Sequence, residues 1–370
     1  MFMKGTALVA ILIRSSERFQ DMKQGRKFLR FFDVEEYEEV VPESDEQKKM
    51  PPPLFQQPFP DESQFIDLVP PDGFSIGNAV FLDIVNNRKS RRKYTSEGLT
   101  LEELSFLLWS TQGVRRVLKS GRGVLRTVPS AGAKSPLETY LIINRVEGIK
   151  PGLYRYISFN HQLLFIKEIE DSEERMGQLA YEQKFAGKAP VIFCWTAVPY
   201  RTEWRYTILS HKFIAIDLGI VCQSLYMACE AINLGTVAIG YYQQNKLDEL
   251  IGLDTDEEFV VLIAPVGKYQ REKKLTEFFK HPKRAVSPEQ LKKLEGKYKR
   301  RNLVEFVEKE GNLLVKIGDF EEILEPYNDL EFIGEYTARA LRFEFTDDGK
   351  PGKVVVLTPD DEEMELEHVE

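Results

Sequence analysis

The spacing of apolar residues changes character along this chain, and the changes predict its elements. Val80, Phe81, Ile84 and Val85 share one face at helical spacing, which predicts a helix from about Gly77–Asn78 to Asn87. Thr100 with Glu103 three residues on is a capping-box signature. It opens a second helix, LTLEELSFLLWSTQ, that stops at Gly113. Residues 114–136 carry Gly121, Gly123, Pro129, Gly132 and Pro136 and read as loop. Strands are predicted over Leu137–Val146, through PGLYRY at 151–156, and over HQLLFIKEI at 161–169. Residues 172–185 read as helix. Pro190–Val198 and Phe259–Val266 are almost wholly apolar, the pattern of strands buried on both faces. Between them the pattern predicts a long helix over about 207–233 with Gly235 as its stop. A short strand or strand-to-loop at Thr236–Gly240 and a short helix at Lys246–Ile251 follow.

From about Leu291 the period drops to two. Alternating segments separated by Glu-Gly-Asn and Asp-Asp-Gly turns predict five or six antiparallel strands in a small β domain. The final DDEEMELEHVE reads as a solvated acidic tail. Upstream, residues 33–50 are acidic, then polar, and Pro51–Pro60 is an extended arm of polyproline type. Its Leu54, Phe55 and Phe59, with Phe65 and Ile66 beyond, are expected to anchor it along a surface. Pro70-Pro71-Asp72-Gly73 is a turn. The organisation expected is an arm over 1–74, a central domain over 75–284 and a β domain with its tail over 285–370. The apolar run Thr6–Ile13 reads as a non-native start or an arm on a partner, with Met22 an alternative first residue. A signal peptide fits less well, because Arg14 follows at once and no small-x-small cleavage site is present.

Composition narrows the function classes. Fifty basic against fifty-nine acidic residues give a net charge of −9, which argues against a coat on nucleic acid or on an anionic membrane. No apolar run approaches the ~20 residues of a membrane helix. Three cysteines make no disulfide framework and fit a reducing, cytoplasmic setting. The four histidines are scattered without metal-ligand spacing, and Cys222 and Cys229 read as buried apolar residues on one helix face, so no metal site is expected. Nucleophile elbow, Walker loop and Gly-rich dinucleotide fingerprint are all missing, which weighs against hydrolases and nucleotide triphosphatases.

Three segments remain as candidates for chemistry. Arg88-Lys89-Ser90-Arg91-Arg92 places four cations and a hydroxyl just past a helix end. Some of that charge answers the helix dipole. In an extended segment, however, Arg88, Ser90 and Arg92 point the same way, and guanidinium forks with a neutral donor suit a phosphate monoester. Pro129-Ser130-Ala131-Gly132-Ala133 lets backbone amides approach a flat ligand, or is an ordinary surface loop. Thr236–Tyr241 is apolar and carries Gly240; it fits one face of a flavin ring, or plain core packing.

Taken in order, these segments resemble a known family. RKSRRKYTSEGLTLEELSFLLWSTQGV, RTVPSAGAKSPLETYLIINRVEG with PGLYRY, and DLGIVCQSLYMACEAINLGTVAIGYY with IGLD and VLIAPVGK are similar to successive blocks of the flavin-dependent nitroreductase superfamily. The similarity covers roughly 25–270 and is greatest to the SagB-type dehydrogenase branch, which includes oxidases of peptide thiazolines and oxazolines. The resemblance implies an α+β fold with helices around a central, mostly antiparallel sheet, beside the small C-terminal antiparallel β domain. It implies non-covalent FMN at a homodimer interface. By position, Arg88, Lys89, Ser90 and Arg92 would hold the FMN phosphate, ribityl chain and ring oxygens. Pro129, Ser130, Ala131 and Gly132 would come from the other subunit. Ile239 and Gly240 would lie by the ring with a backbone N–H near N5. Lys280, Lys283 and Arg284 would add a phosphate contact or form a solvated connector.

One departure bears on activity. The azoline oxidases carry a Lys-Tyr pair before the long helix, where this chain has Trp204-Arg205-Tyr206. An arginine stays protonated and serves as no general base, although it can stabilise negative charge or bind a carboxylate. Tyr206 is then the proton donor or acceptor of the pair. The expected function is an FMN-dependent oxidoreductase moving a hydride through flavin N5 to or from a small or flat substrate, with NADH or NADPH as reductant. The alternatives are a peptide azoline dehydrogenase in a tailoring complex and a non-catalytic flavin-binding assembly protein. The C-terminal domain loosely resembles β domains appended to some serine hydrolases and reads as a stabilising or dimer-covering module.

Overall fold

A computed structural model describes residues 41–269, 284–300, 302–334, 339–347, 351–357 and 363–369, with isolated positions at 26, 29, 30, 279, 282 and 349. The Thr6–Ile13 run, Lys280 and Lys283 lie outside the described residues. The chain divides into two compact units with the boundary between Tyr269 and Gln270.

The first unit carries helices α1 (Phe81–Asn87), α2 (Leu101–Gln112), α3 (Ser172–Leu179), α4 (Lys184–Lys188), α5 (Tyr200–Tyr206), α6 (Ser210–Ala231) and α7 (Gln244–Ile251). Its strands are β1 (Phe65–Asp67), β2 (Val114–Val117), β3 (Val124–Arg126), β4 (Leu137–Ile143), β5 (Gly152–Ile157), β6 (Gln162–Lys167), β7 (Val191–Ala197), β8 (Leu234–Thr236) and β9 (Phe259–Lys268). Seven of them form one sheet in the order β1-β6-β5-β4-β7-β9-β8, every pair antiparallel.

The apolar runs explain the layering. Every residue of β4 and β7 is buried, and successive side chains point to opposite faces. Leu141, Ile143, Phe193 and Trp195 meet Leu104, Leu107 and Leu108 of α2 and Val221 and Leu225 of α6. Tyr140, Ile142, Ile192 and Cys194 take the other face, against Met176 of α3 and Leu247 and Leu250 of α7. The sheet is therefore a middle layer, with α6 the main helix on one side.

Local expectations hold at α2, where Thr100 Oγ1 accepts from the Glu103 amide at 3.1 Å and Glu103 Oε2 accepts from the Thr100 amide at 2.7 Å. Others are corrected. Helix α1 starts at Phe81, four residues later than its apolar face predicted. Within 114–136, β2 and β3 pair as a hairpin. The long helix expected over 207–233 is α6, and α5 precedes it as a separate helix, the two divided where Thr207 takes a φ of 48°. Helix α6 ends at Ala231, two residues before Asn233 takes a φ of 58°, a left-handed conformation that asparagine tolerates. Gly235 instead admits a neighbour: a Cβ there would sit 2.7 Å from the Arg91 side chain.

The arm is anchored as expected only at Ile66, which packs on the core, and at the half-buried Phe55. Leu54 is 68% exposed and Phe59 and Phe65 are exposed. The arm's main chain makes the contacts instead. Arg201 Nε donates to the Leu54 carbonyl at 2.7 Å, Arg126 to Phe55 at 3.4 Å, and Arg155 to Gln57 and Pro58 at 3.0 and 2.9 Å. Proline removes N–H donors and keeps carbonyls, so a proline-rich strand is an acceptor-rich edge that guanidinium groups satisfy. These arginines are buried beside Glu138 and Glu258, and burial holds the Glu258 carboxyl above the ordinary range.

The second unit holds α8 (Pro288–Lys292) and strands β10 (Gly296–Lys299), β11 (Leu303–Lys309), β12 (Asn312–Ile317), β13 (Phe320–Pro326), β14 (Glu331–Gly334), β15 (Arg339–Phe345), β16 (Pro351–Leu357) and β17 (Glu363–Val369). They close into an antiparallel barrel in chain order, β17 returning to β10. Eight strands thus replace the expected five or six. The supposed acidic tail is β17 itself. Glu363, Glu365 and Glu367 face outward while Met364, Leu366 and His368 turn in, so a charge count concealed a period-two strand. Ending the chain before Glu363 would leave β10 and β16 as open edges. The shortened protein is expected to aggregate, and size-exclusion chromatography at two concentrations checks it.

Candidate functional site

Residues 88–92 follow α1 and run along the edge of β8. Ser90 bridges Thr236 in parallel register, and the Arg91 amide donates to the Thr236 carbonyl at 2.9 Å. An extended chain sends neighbouring side chains to opposite sides, and the arginines diverge accordingly. Arg91 is buried, paired with Glu230 at 3.0 Å and stacked 3.8 Å over the Tyr269 ring. Its charge serves the fold. Arg88 lies half-buried with its guanidinium 5.4 Å from the Tyr226 ring centroid. Lys89 and Arg92 are exposed. Arg284, outside this unit, pairs with Asp329 at 2.6 Å.

Tyr226, on α6, was not singled out by the sequence. Its hydroxyl lies 3.0 Å from Ser90 Oγ and accepts from the Ala238 amide at 2.9 Å. It therefore ties the arginine-serine segment to residues 238–240. Within that segment the Ile239 amide is already engaged, donating to the Ile263 carbonyl at 2.8 Å. Ile239 is buried and Gly240 exposed, with nothing within 4 Å of a Cβ built on Gly240. Open space is therefore at Gly240, and of the two backbone donors the sequence named, Ile239's is committed to the sheet.

The Pro129–Gly132 loop follows β3 and docks on the first turns of α6. Ser130 Oγ donates to Asp217 Oδ2 at 2.6 Å, and the Ala131 amide donates to Asp217 Oδ1 at 3.1 Å. Asp217 is buried, and burial raises its carboxyl above the ordinary range. Gly132 has a φ of 56°, and a Cβ there would lie 2.5 Å from the Tyr206 hydroxyl. Glycine is thus required both by conformation and by the approach of Tyr206. Pro129 and Gly132 are exposed. Arg205 is 44% exposed and faces Glu46 Oε2 at 3.4 Å. Beside it Lys134 is fully buried, 4.3 Å from the Trp204 ring centroid and donating to the Arg122 carbonyl at 2.7 Å; burial lowers its pKa.

One chain therefore brings its candidates together as two groups. Arg88, Ser90 and Ala238, two residues before Gly240, meet at Tyr226; Ser130 and Ala131 meet at Asp217, with Gly132 against Tyr206. Nine residues of α6 separate the two anchors, roughly 13 Å along the axis. Cys222 lies between them and Cys229 just beyond Tyr226, the Cys222 thiol pushed up to about 11 and Cys229 also raised by burial, so neither is a ready nucleophile. No cluster of metal-binding side chains occurs among the described residues.

A layered α+β unit with a basic segment beside the sheet edge and a small-residue loop on the central helix defines a class. The chain belongs to the nitroreductase family, whose profile matches residues 85–268. A nitroreductase homologue of Methanocaldococcus jannaschii, MJ1384, is 34% identical over 186 residues, covering 50% of this chain and 89% of that protein. The trifolitoxin operon protein TfxC of Rhizobium leguminosarum bv. trifolii is 29% identical over 167 residues, 42% of this chain and 46% of that one. Among solved structures, a nitroreductase homologue from Ralstonia eutropha JMP134 is 27% identical with a TM-score of 0.47, covering 58% of this chain and 93% of that chain.

Proposed function

We propose that this protein is an FMN-dependent oxidoreductase of the SagB-type branch, working as a homodimer on a small or flat substrate with NADH or NADPH as reductant. The observation that carries the reading is the Tyr226 junction, which joins Arg88 and Ser90 to the open backbone at Gly240. Arg88 and Ser90 offer a charged fork and a hydroxyl to a phosphate, and Gly240 leaves room for a flat ring. Bound there, FMN would supply the hydride chemistry, while the chain fixes orientation and electrostatics. Arg205 would stabilise negative charge on the substrate, and the Tyr206 hydroxyl would donate or accept the proton.

The separation of the two groups along α6 supports the dimer. A two-fold axis would bring the Asp217 group of one copy to the Tyr226 group of the other. The surface favours the same arrangement. None of α1 is buried, and Val80, Phe81, Leu82 and Val85 stand exposed; so do Ile208 and Ile216 beside α6. Exposed apolar side chains in that number favour an interface. Against the expectation of no apolar stretch of membrane length, Tyr200–Ala231 is long and apolar enough to cross a membrane by length and composition, and only part of it is covered within one chain. A second copy covers the remainder.

Similarity to TfxC favours a peptide-tailoring dehydrogenase as the second reading. Arg205, turned to Glu46 where the azoline oxidases carry lysine, weighs against it. The test is a visible spectrum of the purified protein followed by anaerobic NADH or NADPH. A flavin spectrum that bleaches is the expected result. Bound flavin that stays oxidised would favour substrate-driven oxidation or the non-catalytic assembly protein. Failure to bind FMN after reconstitution would overturn the proposal.

A further inference from the structure

The barrel contains more space and more charge than a stabilising module needs. An eight-stranded barrel has an interior just wide enough to be filled by side chains or to hold one small ligand. This one does both. Tyr298, Phe306, Phe332 and Phe343 interlock edge to face, with ring centroids 5.0 to 5.8 Å apart for the Tyr298–Phe306, Phe306–Phe343 and Phe332–Phe343 pairs. Leu291 and Leu294, at and just past α8, join the same core. Elsewhere in the barrel lies a cavity of about 410 Å³, walled by Val315, Ile317, Leu341, Val356 and Met364. Small-molecule sites occupy about 300–1,000 Å³.

The strand pattern shows that the cavity's polar groups are aimed inward. On β13 the inward positions are Phe320, Glu322 and Leu324, with Glu321, Ile323 and Glu325 turned out. On β15 they are Arg339, Leu341 and Phe343. A purely structural core would carry apolar residues at all of them, because buried charge is costly. Here Glu322 is only 7% exposed, and Arg339 has a buried Nε with no hydrogen-bond partner. Arg300 lines the cavity from an exposed position just after β10. Among the described lining residues, two guanidinium groups stand with one carboxylate.

We infer that the barrel is a binding site for an apolar molecule ending in a carboxylate, of the medium-chain fatty acid class. The chain lies along Val315, Ile317, Leu341, Val356 and Met364, and the carboxylate meets Arg339, with Arg300 nearest solvent. This inference is independent of the flavin reading, since every residue in it belongs to the second unit.

The test is calorimetric titration of the full-length protein with dodecanoate and with dodecanol, its uncharged analogue. One dodecanoate per chain is expected. Arg339→Gln should weaken dodecanoate by about tenfold or more and leave dodecanol unchanged, because it removes a charge-assisted hydrogen bond and spares the apolar wall. Arg339→Lys should restore part of the loss. Ile317→Trp should fill the cavity and abolish both. It also places an indole in a unit that has none, since Trp109, Trp195 and Trp204 all lie in the first, so its emission reports whether the barrel folds. No saturable dodecanoate binding to the wild-type protein would overturn the inference. Equal loss of both ligands in Arg339→Gln, or undiminished binding in folded Ile317→Trp, would do the same.

Discussion

Arg201→Met is expected to destabilise the first unit by about 3–5 kcal/mol, the cost of leaving a buried carboxylate without its cation. Arg201 is 1% exposed and Glu138 5%, and the pair meets at 2.5 Å. Methionine replaces the stem's packing and loses every hydrogen bond. Glu138 also accepts from the Gln57 amide at 2.9 Å, and Arg201 donates to the Leu54 carbonyl, so the same substitution loosens the arm. Two measurements separate these effects. The urea midpoint should fall in Arg201→Met and recover largely in Arg201→Met/Glu138→Leu, where the lone charge is gone. Proteolytic cleavage within residues 50–58 should rise in both. A double variant no more stable than the single one would show that the pair was not the source of the loss.

Arg88→Ala is expected to strip the flavin. A charge-assisted contact to phosphate contributes about 1.5–3 kcal/mol, so FMN affinity should fall by roughly 10- to 100-fold and the protein should purify largely colourless. Apoprotein stability should be nearly unchanged, because Arg88 is half-buried beside Tyr226 and forms no part of the core. Arg91→Ala, three residues away, should do the reverse. It strands Glu230 and removes the side chain that fills the space over Gly235, so its melting temperature should drop. Fluorescence titration of apoprotein with FMN and thermal melts of both variants distinguish the roles. Equal flavin loss in the two, at equal stability, would contradict the division.

That division marks where the sequence was legible and where it was not. The almost wholly apolar runs at β7 and β9 announced strands of a middle layer, while β4, which carries Glu138 and Thr139, read only as a strand. The capping box located α2 within a residue or two. The basic segment and the small-residue loop stood out by composition. Alternation already set Arg91 apart from Arg88 and Arg92, but the partners that bury it, Glu230 and Tyr269, are distant in sequence and did not show. Tyr226 was equally hidden, one aromatic among many apolar residues on α6. The arm misled because its hydrophobic side chains drew attention from its carbonyls. Strand β17 misled because glutamate at every second position dominates a charge count while Met364, Leu366 and His368 carry the pattern.

The two anchors on α6 have a genetic consequence. If each site takes its basic half from one chain and its small-residue half from the other, then lesions in different halves complement. Chains carrying Arg88→Ala and chains carrying Gly132→Val would each fail alone. Mixed within one pair, they would place both lesions in one site and leave the other whole. Co-expression of two inactive alleles would then restore up to half the activity of the intact pair.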